Sequence, residues 1–140
     1  MKKVVLISCV SKKLNGKHSA KDLYISPLFR FNLSYAKSLK PDKIFILSAE
    51  HGLLELDEEI DSYDKTLNRM RIIERREWGE QVLEKLKRKV DLDKDEFVFL
   101  AGKKYREFLT PSIKSYYVPM RGMGIGKQLS FLKKEIANVL

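Results

Sequence analysis

The sequence predicts an α/β fold: one three-layer domain over residues 1–140, with a mainly parallel sheet of four or five strands flanked by helices. Strand-like runs alternate with helical stretches along the chain, and such alternation implies parallel strands joined by crossover helices. The strand-like runs are short and rich in β-branched and aromatic residues. No repeat, low-complexity tract or linker marks a second domain.

The strand-like runs fall at 3–8, 43–47, 96–101 and 115–118. Ser26-Pro27 reads as an N-cap followed by proline at the first helical position. The helix after it is expected to reach about Leu39, with Leu28, Phe31, Tyr35 and Leu39 on one face and Pro41 as its stop. Residues 66–90 have helical composition, with Trp78, Val82, Leu86 and Val90 on a stripe and Gly79 as a candidate break. A short helix over 102–109 is closed by Thr110-Pro111. The last helix has the clearest period, with Ile125, Leu129, Leu132 and Ile136 on one stripe and Lys127, Lys133 and Lys134 off it.

A length of 140 residues is enough to bury a real core, and the hydrophobic fraction of 44% is ordinary. No apolar run approaches the ~20 residues that span a bilayer, and Lys2-Lys3 leads straight into a strand rather than a signal peptide. A single cysteine excludes an internal disulfide framework, so a cytoplasmic, reducing setting is expected.

The net charge of +9 is unevenly spread. Residues 48–64 hold Glu50, Glu55, Asp57, Glu58, Glu59, Asp61 and Asp64 with no Lys or Arg, giving −7 and leaving +16 on the rest. A basic body attracts polyanions, nucleic acid first among them. A solvated, lysine-rich surface has the same composition. The cluster Arg69, Arg71, Arg75 and Arg76 favours phosphate, because the guanidinium matches its geometry.

Right-handed crossovers gather the connections at 8–25, 48–65, 102–104 and 119–126 on one side of the sheet. The first offers Ser8, Cys9, Ser11, Lys12 and Tyr24, hydroxyls and a lysine suited to phosphate or sugar oxygens. Cys9 is also a candidate nucleophile if His51 lies on the neighbouring strand; a buried, inert thiol is the alternative.

The second connection places Ser48, Glu50 and His51 where a strand stops. A carboxylate beside an imidazole can do acid–base work; the alternative for His51 is to shape the turn before Gly52. Asp64 either joins that chemistry or caps the helix expected from Thr66. In the last connection, Arg121, Gly124 and Gly126 lead into a helix whose N-terminal amides favour an anion. Its Gly-x-Gly-x-Gly spacing departs from the dinucleotide fingerprint. The histidines at 18 and 51 and the cysteine at 9 have no standard ligand spacing, so neither a metal nor a cofactor is expected.

Ile7-Ser8-Cys9-Val10-Ser11-Lys12-Lys13, Ala20 to Phe29, Leu47 to Leu54, Tyr63 to Leu67 and Gly124 to Leu129 together resemble a small domain family of unknown function of bacteria, archaea and phages. The resemblance covers nearly the whole chain. The first motif is also similar to the Cys-Ser-x-Lys segment of a domain in archaeosine synthase, which modifies tRNA bases, although here Val10 separates Cys9 from Ser11. That similarity implies a fold of the uracil-DNA-glycosylase-like group and a base pocket lined by Ser8–Lys13 and the Glu50-His51 turn.

Two functions stand side by side. One is an enzyme acting at an N-glycosidic bond of DNA, tRNA or a nucleotide. Glu50 or Asp64 would orient water or stabilise the sugar cation, His51 would assist, and Ser11, Lys12 and Arg121 would hold phosphate. The other is a non-catalytic nucleotide- or nucleic-acid-binding module acting with a partner. A free small-molecule ligand fits the same residues. The sequence does not reveal the oligomeric state.

Overall fold

A computed structural model describes residues 1–9 and 12–139. In chain order the elements begin β1 (Lys3–Ser8), β2 (Lys17–Ser19), α1 (Ala20–Leu23), α2 (Pro27–Ser38), β3 (Lys43–Ser48) and β4 (Gly52–Glu55). They continue β5 (Glu59–Asp61), α3 (Ile72–Lys87), β6 (Glu96–Leu100), α4 (Lys103–Arg106), β7 (Ser115–Tyr117) and α5 (Ile125–Val139). Single 3-10 turns stand at Leu67–Arg69 and Thr110–Ser112.

The main sheet has the order β4-β3-β1-β6-β7, with β3, β1, β6 and β7 parallel and β4 antiparallel at one edge. The central strand β1 carries Val4, Val5, Leu6 and Ile7 with no exposure at all. A continuous apolar run is what a strand covered on both faces needs. The α2 helix packs along α5, while α3 packs on β4 and receives Phe108 against Gly79. Right-handed crossovers put these two helix groups on opposite faces of the sheet, completing three layers.

The β1–α2–β3 crossover moves one way across the sheet, and the chain then returns past β1 to β6. The boundary between β1 and β6 is therefore a topological switch point. In open α/β sheets, the crevice outside the carboxyl ends of the strands at such a point is where ligands bind.

Four expectations need correction. The stretch 48–65 is not one loop: β4 turns straight back on β3, and β5 pairs antiparallel with β2 in a small separate sheet. The helix expected from Thr66 starts only at Ile72, after the 3-10 turn. Asp64 caps neither element; Thr66 caps the turn through Asn68 N–H, and Glu74 accepts from the Arg71 N–H that opens α3. Gly79 does not divide α3, which is continuous through it. The missing side chain instead admits Phe108, since a Cβ there would lie 2.8 Å from the Phe108 Cβ.

On α2 the buried residues are Phe29, Asn32, Leu33, Tyr35 and Ala36; of the expected stripe Tyr35 is buried, and Leu28, Phe31 and Leu39 are partly buried against the core. Tyr35 and Phe31 are met by α5, Tyr35 edge-on to Phe131 with ring centres 5.7 Å apart and Phe31 under the Lys133 ammonium.

Candidate binding cleft

Two cavities adjoin at the carboxyl ends of β1 and β6. One, of about 430 Å³, is walled by Cys9 at the end of β1, Lys12, the first turn of α2, Lys65, Tyr105 and Leu129. The other, of about 500 Å³, is walled by Ser8, Asn32, Phe99, Lys103, Arg106, Met120 and Gln128 among others. Leu28, Asn68 and Ile125 belong to both walls. The combined space has the size and the apolar-with-few-polar character of a small-ligand site.

Local sequence explains the lining. Ser26 Oγ accepts the Phe29 N–H at 3.2 Å, and Pro27 sets the first turn, which fixes the α2 start at the rim. The 3-10 turn carries Asn68 to the wall. Ile125 opens α5 with 66% of its surface exposed at the cavity mouth.

The charged lining is cationic. Lys12, Lys65, Lys103 and Arg106 contribute, and among the described residues no Asp or Glu lines either cavity. Lys103 and Arg106 also face a neighbouring hollow that contains Arg121. Arg106 Nη1 donates to the Ala101 carbonyl at 2.7 Å. Burial, and after it the nearby charge of Arg121, pulls the Arg106 pKa below the ordinary guanidinium value. It stays cationic at neutral pH, as guanidinium does in proteins.

Behind the first cavity lies a cluster of buried phenols. Cys9 Sγ donates to the Tyr105 hydroxyl at 3.4 Å, and that hydroxyl also accepts the Leu67 N–H at 3.4 Å. Ser48 Oγ donates to the Tyr63 hydroxyl at 2.8 Å, which shares a 2.6 Å hydrogen bond with the Tyr24 hydroxyl. Burial pushes Tyr24, Tyr63 and Tyr105 well above their ordinary 10, so all three remain protonated at neutral pH. The Lys13 ammonium lies 4.4 Å from the Tyr63 ring centre.

The structure thus brings Ser8, Cys9 and Lys12 together at the cleft and puts Arg121 in the adjoining hollow. Gly124 and Gly126 flank the start of α5, where nothing would obstruct a Cβ. Ser11 lies outside the described residues. Tyr24 and Ser48 stand behind the cleft, fully buried.

Glu50 and His51 occupy the turn between β3 and β4 and do not line either cavity. Ser48 Oγ accepts the His51 N–H at 3.0 Å, and Gly52, at φ +72°, supplies the left-handed backbone that closes the hairpin. The His51 ring stands edge-on to Tyr63 with centres 5.4 Å apart, and its buried Nε2 has no hydrogen-bond partner among the described residues. Cys9 bonds Tyr105 and not His51, so the nucleophile pair is not formed. Glu50 reaches Lys65 at 3.9 Å, and Asp64 is exposed.

The arginine cluster divides. Arg75 is spent internally, donating to Glu107 at 3.2 Å and to the Met70 carbonyl at 2.6 Å with only 13% of its side chain exposed. Arg76 covers the Phe108 ring. Among the described residues, no group of three or more His, Cys, Asp or Glu side chains could hold a metal ion, and no helix is long and apolar enough to cross a membrane.

Residues 4–134 match the model of a family of unknown function, DUF6884. The chain belongs to that family. It is similar to uncharacterized protein YfjM of Bacillus subtilis (strain 168), with 33% identity over 149 residues that cover 97% of this chain and 96% of the relative. No solved structure matches.

Asn32, Asn68, Tyr105, Lys103 and Arg106 escaped the sequence reading. For Asn32 a signal existed: it sits four residues after Leu28, a polar interruption on a helix side otherwise occupied by Phe29, Leu33 and Ala36. Arg106 and Tyr105 gave none, because their helix has only four residues.

Proposed function

We propose that this protein binds a nucleotide, free or as part of a nucleic acid, with the base in the cleft at the β1–β6 switch point and phosphate at its cationic rim. The observation that carries this reading is the lining itself. Apolar walls suit a flat heterocycle, and Lys12, Lys65, Lys103 and Arg106 ring it, while among the described residues no carboxylate lines either cavity. Glu50, paired with Lys65, and Glu107, in the adjoining hollow, lie outside the two walls. A site with that balance favours an anion with a hydrophobic body. A cytoplasmic setting goes with it.

Binding is favoured over chemistry because Glu50, His51 and Asp64 line neither cavity, Glu50 reaching the wall only through its pairing with Lys65. Cleavage of an N-glycosidic bond is the catalytic extension, and it needs those groups to reach the sugar. One experiment addresses both. The protein is titrated with nucleoside monophosphates and short single-stranded DNA and RNA at several salt concentrations, and the mixtures are assayed for released base.

Saturable binding that weakens with salt and with Lys12→Ala or Lys65→Ala, but not with Glu50→Gln, supports the binding module. Released base that disappears in Glu50→Gln or Asp64→Asn supports the enzyme. No binding of any nucleotide or strand at low salt overturns the proposal.

A further inference from the structure

Asn32 is 4% exposed, and its Oδ1 accepts no hydrogen bond among the described residues. A carboxamide oxygen buried without a partner destabilises a fold, because it loses its water and gains nothing in return. This one belongs to the wall of the second cavity, which it shares with Ile125 and Gln128 of α5. Around it Leu28, Phe99 and Met120 offer flat apolar surface, and Lys103 and Arg106 supply positive charge. The side chain belongs to the wall of a space that a ligand can enter, and its oxygen, closed off from solvent in the ligand-free protein, is an acceptor left for a donor that the carboxamide turns to meet.

We infer that Asn32 is a specificity-determining residue whose carboxamide oxygen accepts an N–H from the edge of a bound nucleobase. The inference rests on the nucleotide reading above and names the feature of the ligand it selects. An exocyclic amino group or a ring imide supplies such a donor. An asparagine also carries an NH₂ beside its oxygen, so it matches a base edge where a donor sits next to an acceptor, as it does with adenine. A site built to bond a donor discriminates strongly against the analogue lacking it, because its own polar group is then left buried and unpaired.

The test compares each of the four nucleoside monophosphates with an analogue in which the N–H donor of the base is replaced by hydrogen or methylated. Binding is measured by calorimetry to the parent protein and to Asn32→Leu, a variant of similar volume. The parent is expected to prefer at least one natural nucleotide over its analogue by about tenfold, and Asn32→Leu to bind the two alike. Should Asn32→Leu fail to fold, the side-chain NH₂ signals of Asn32 in the parent are followed by NMR, and they are expected to shift with the natural nucleotide and not with its analogue.

Discrimination that persists in Asn32→Leu, or is absent from the parent, overturns the role of Asn32 while leaving the cleft as a nucleotide site. Failure of every nucleotide to bind removes the cleft reading and this inference with it.

Discussion

Ser48 and Tyr63 are joined by a 2.8 Å hydrogen bond that ties the end of β3 to the chain entering α3. Ser48 is fully buried, and its other valences are also used. Its Oγ accepts the His51 N–H, and its carbonyl accepts the Trp78 indole N–H at 2.8 Å. The Ser48-Ala49-Glu50-His51-Gly52 segment is thereby explained as a structural joint.

Replacing Ser48 by Ala strands the His51 N–H and removes one partner of Tyr63. The expected loss is about 1–3 kcal/mol of stability, the usual result of leaving buried polar groups unpaired. Chemical denaturation measures it. Nucleotide affinity is expected to stay within twofold of the parent, because Ser48 does not touch the cleft. A stable Ser48→Ala protein that no longer binds nucleotide would instead return this segment to the functional site.

The parallel strands were legible because β1, β3 and β6 are buried on both faces and read as unbroken apolar runs. The edge strand β4 was not. Gly52-Leu53-Leu54-Glu55 is too short to show a period, and its pairing depends on a glycine conformation the sequence does not announce. The site followed the same division. Ser8, Cys9 and Lys12 follow a strand that sequence could place, and they line the two cavities. Glu50 and His51 also follow such a strand, but an antiparallel partner turns their segment into a hairpin beside the cleft.

Gly79→Ala is a test of packing against propensity. In an isolated helix the change would help by about 1 kcal/mol. Here the new methyl meets the Phe108 Cβ at 2.8 Å, and that atom is held by its own backbone rather than at the end of a flexible chain. Overpacking of this kind costs about 1–3 kcal/mol. The variant is expected to melt lower than the parent, and a higher midpoint would show that the Phe108 segment yields.

Asp95 joins the amino ends of the two central strands. Its carboxylate accepts the Asp91 N–H and the Lys2 N–H, both at 2.8 Å, and these two bonds hold its pKa below the ordinary 3.8. A group whose folded pKa is depressed stabilises the fold above its unfolded pKa, and that stability is lost as pH falls through the folded value. Stability is therefore expected to be flat in Asp95 down to about pH 4 and to fall below it. Asp95→Asn is expected to lower stability at neutral pH and to flatten the acid limb of the curve. Urea midpoints from pH 7 to pH 2 check this, and an unchanged acid limb would assign the loss to other carboxylates.

Arg106 and Arg121 are like charges whose mutual repulsion is felt in the lowered Arg106 pKa, and no ion pair to either is present among the described residues. Without ligand the pair opposes folding; with a phosphate between them it becomes attractive. Arg121→Gln is therefore expected to change two measurements in opposite directions. The ligand-free protein gains thermal stability at low ionic strength, and the gain shrinks as salt screens the pair. Affinity for a nucleoside monophosphate falls by roughly tenfold, the scale of one charged hydrogen bond, while affinity for the corresponding nucleoside is unchanged. Equal losses for nucleotide and nucleoside would place the phosphate elsewhere and make the Arg121 effect one of cleft shape.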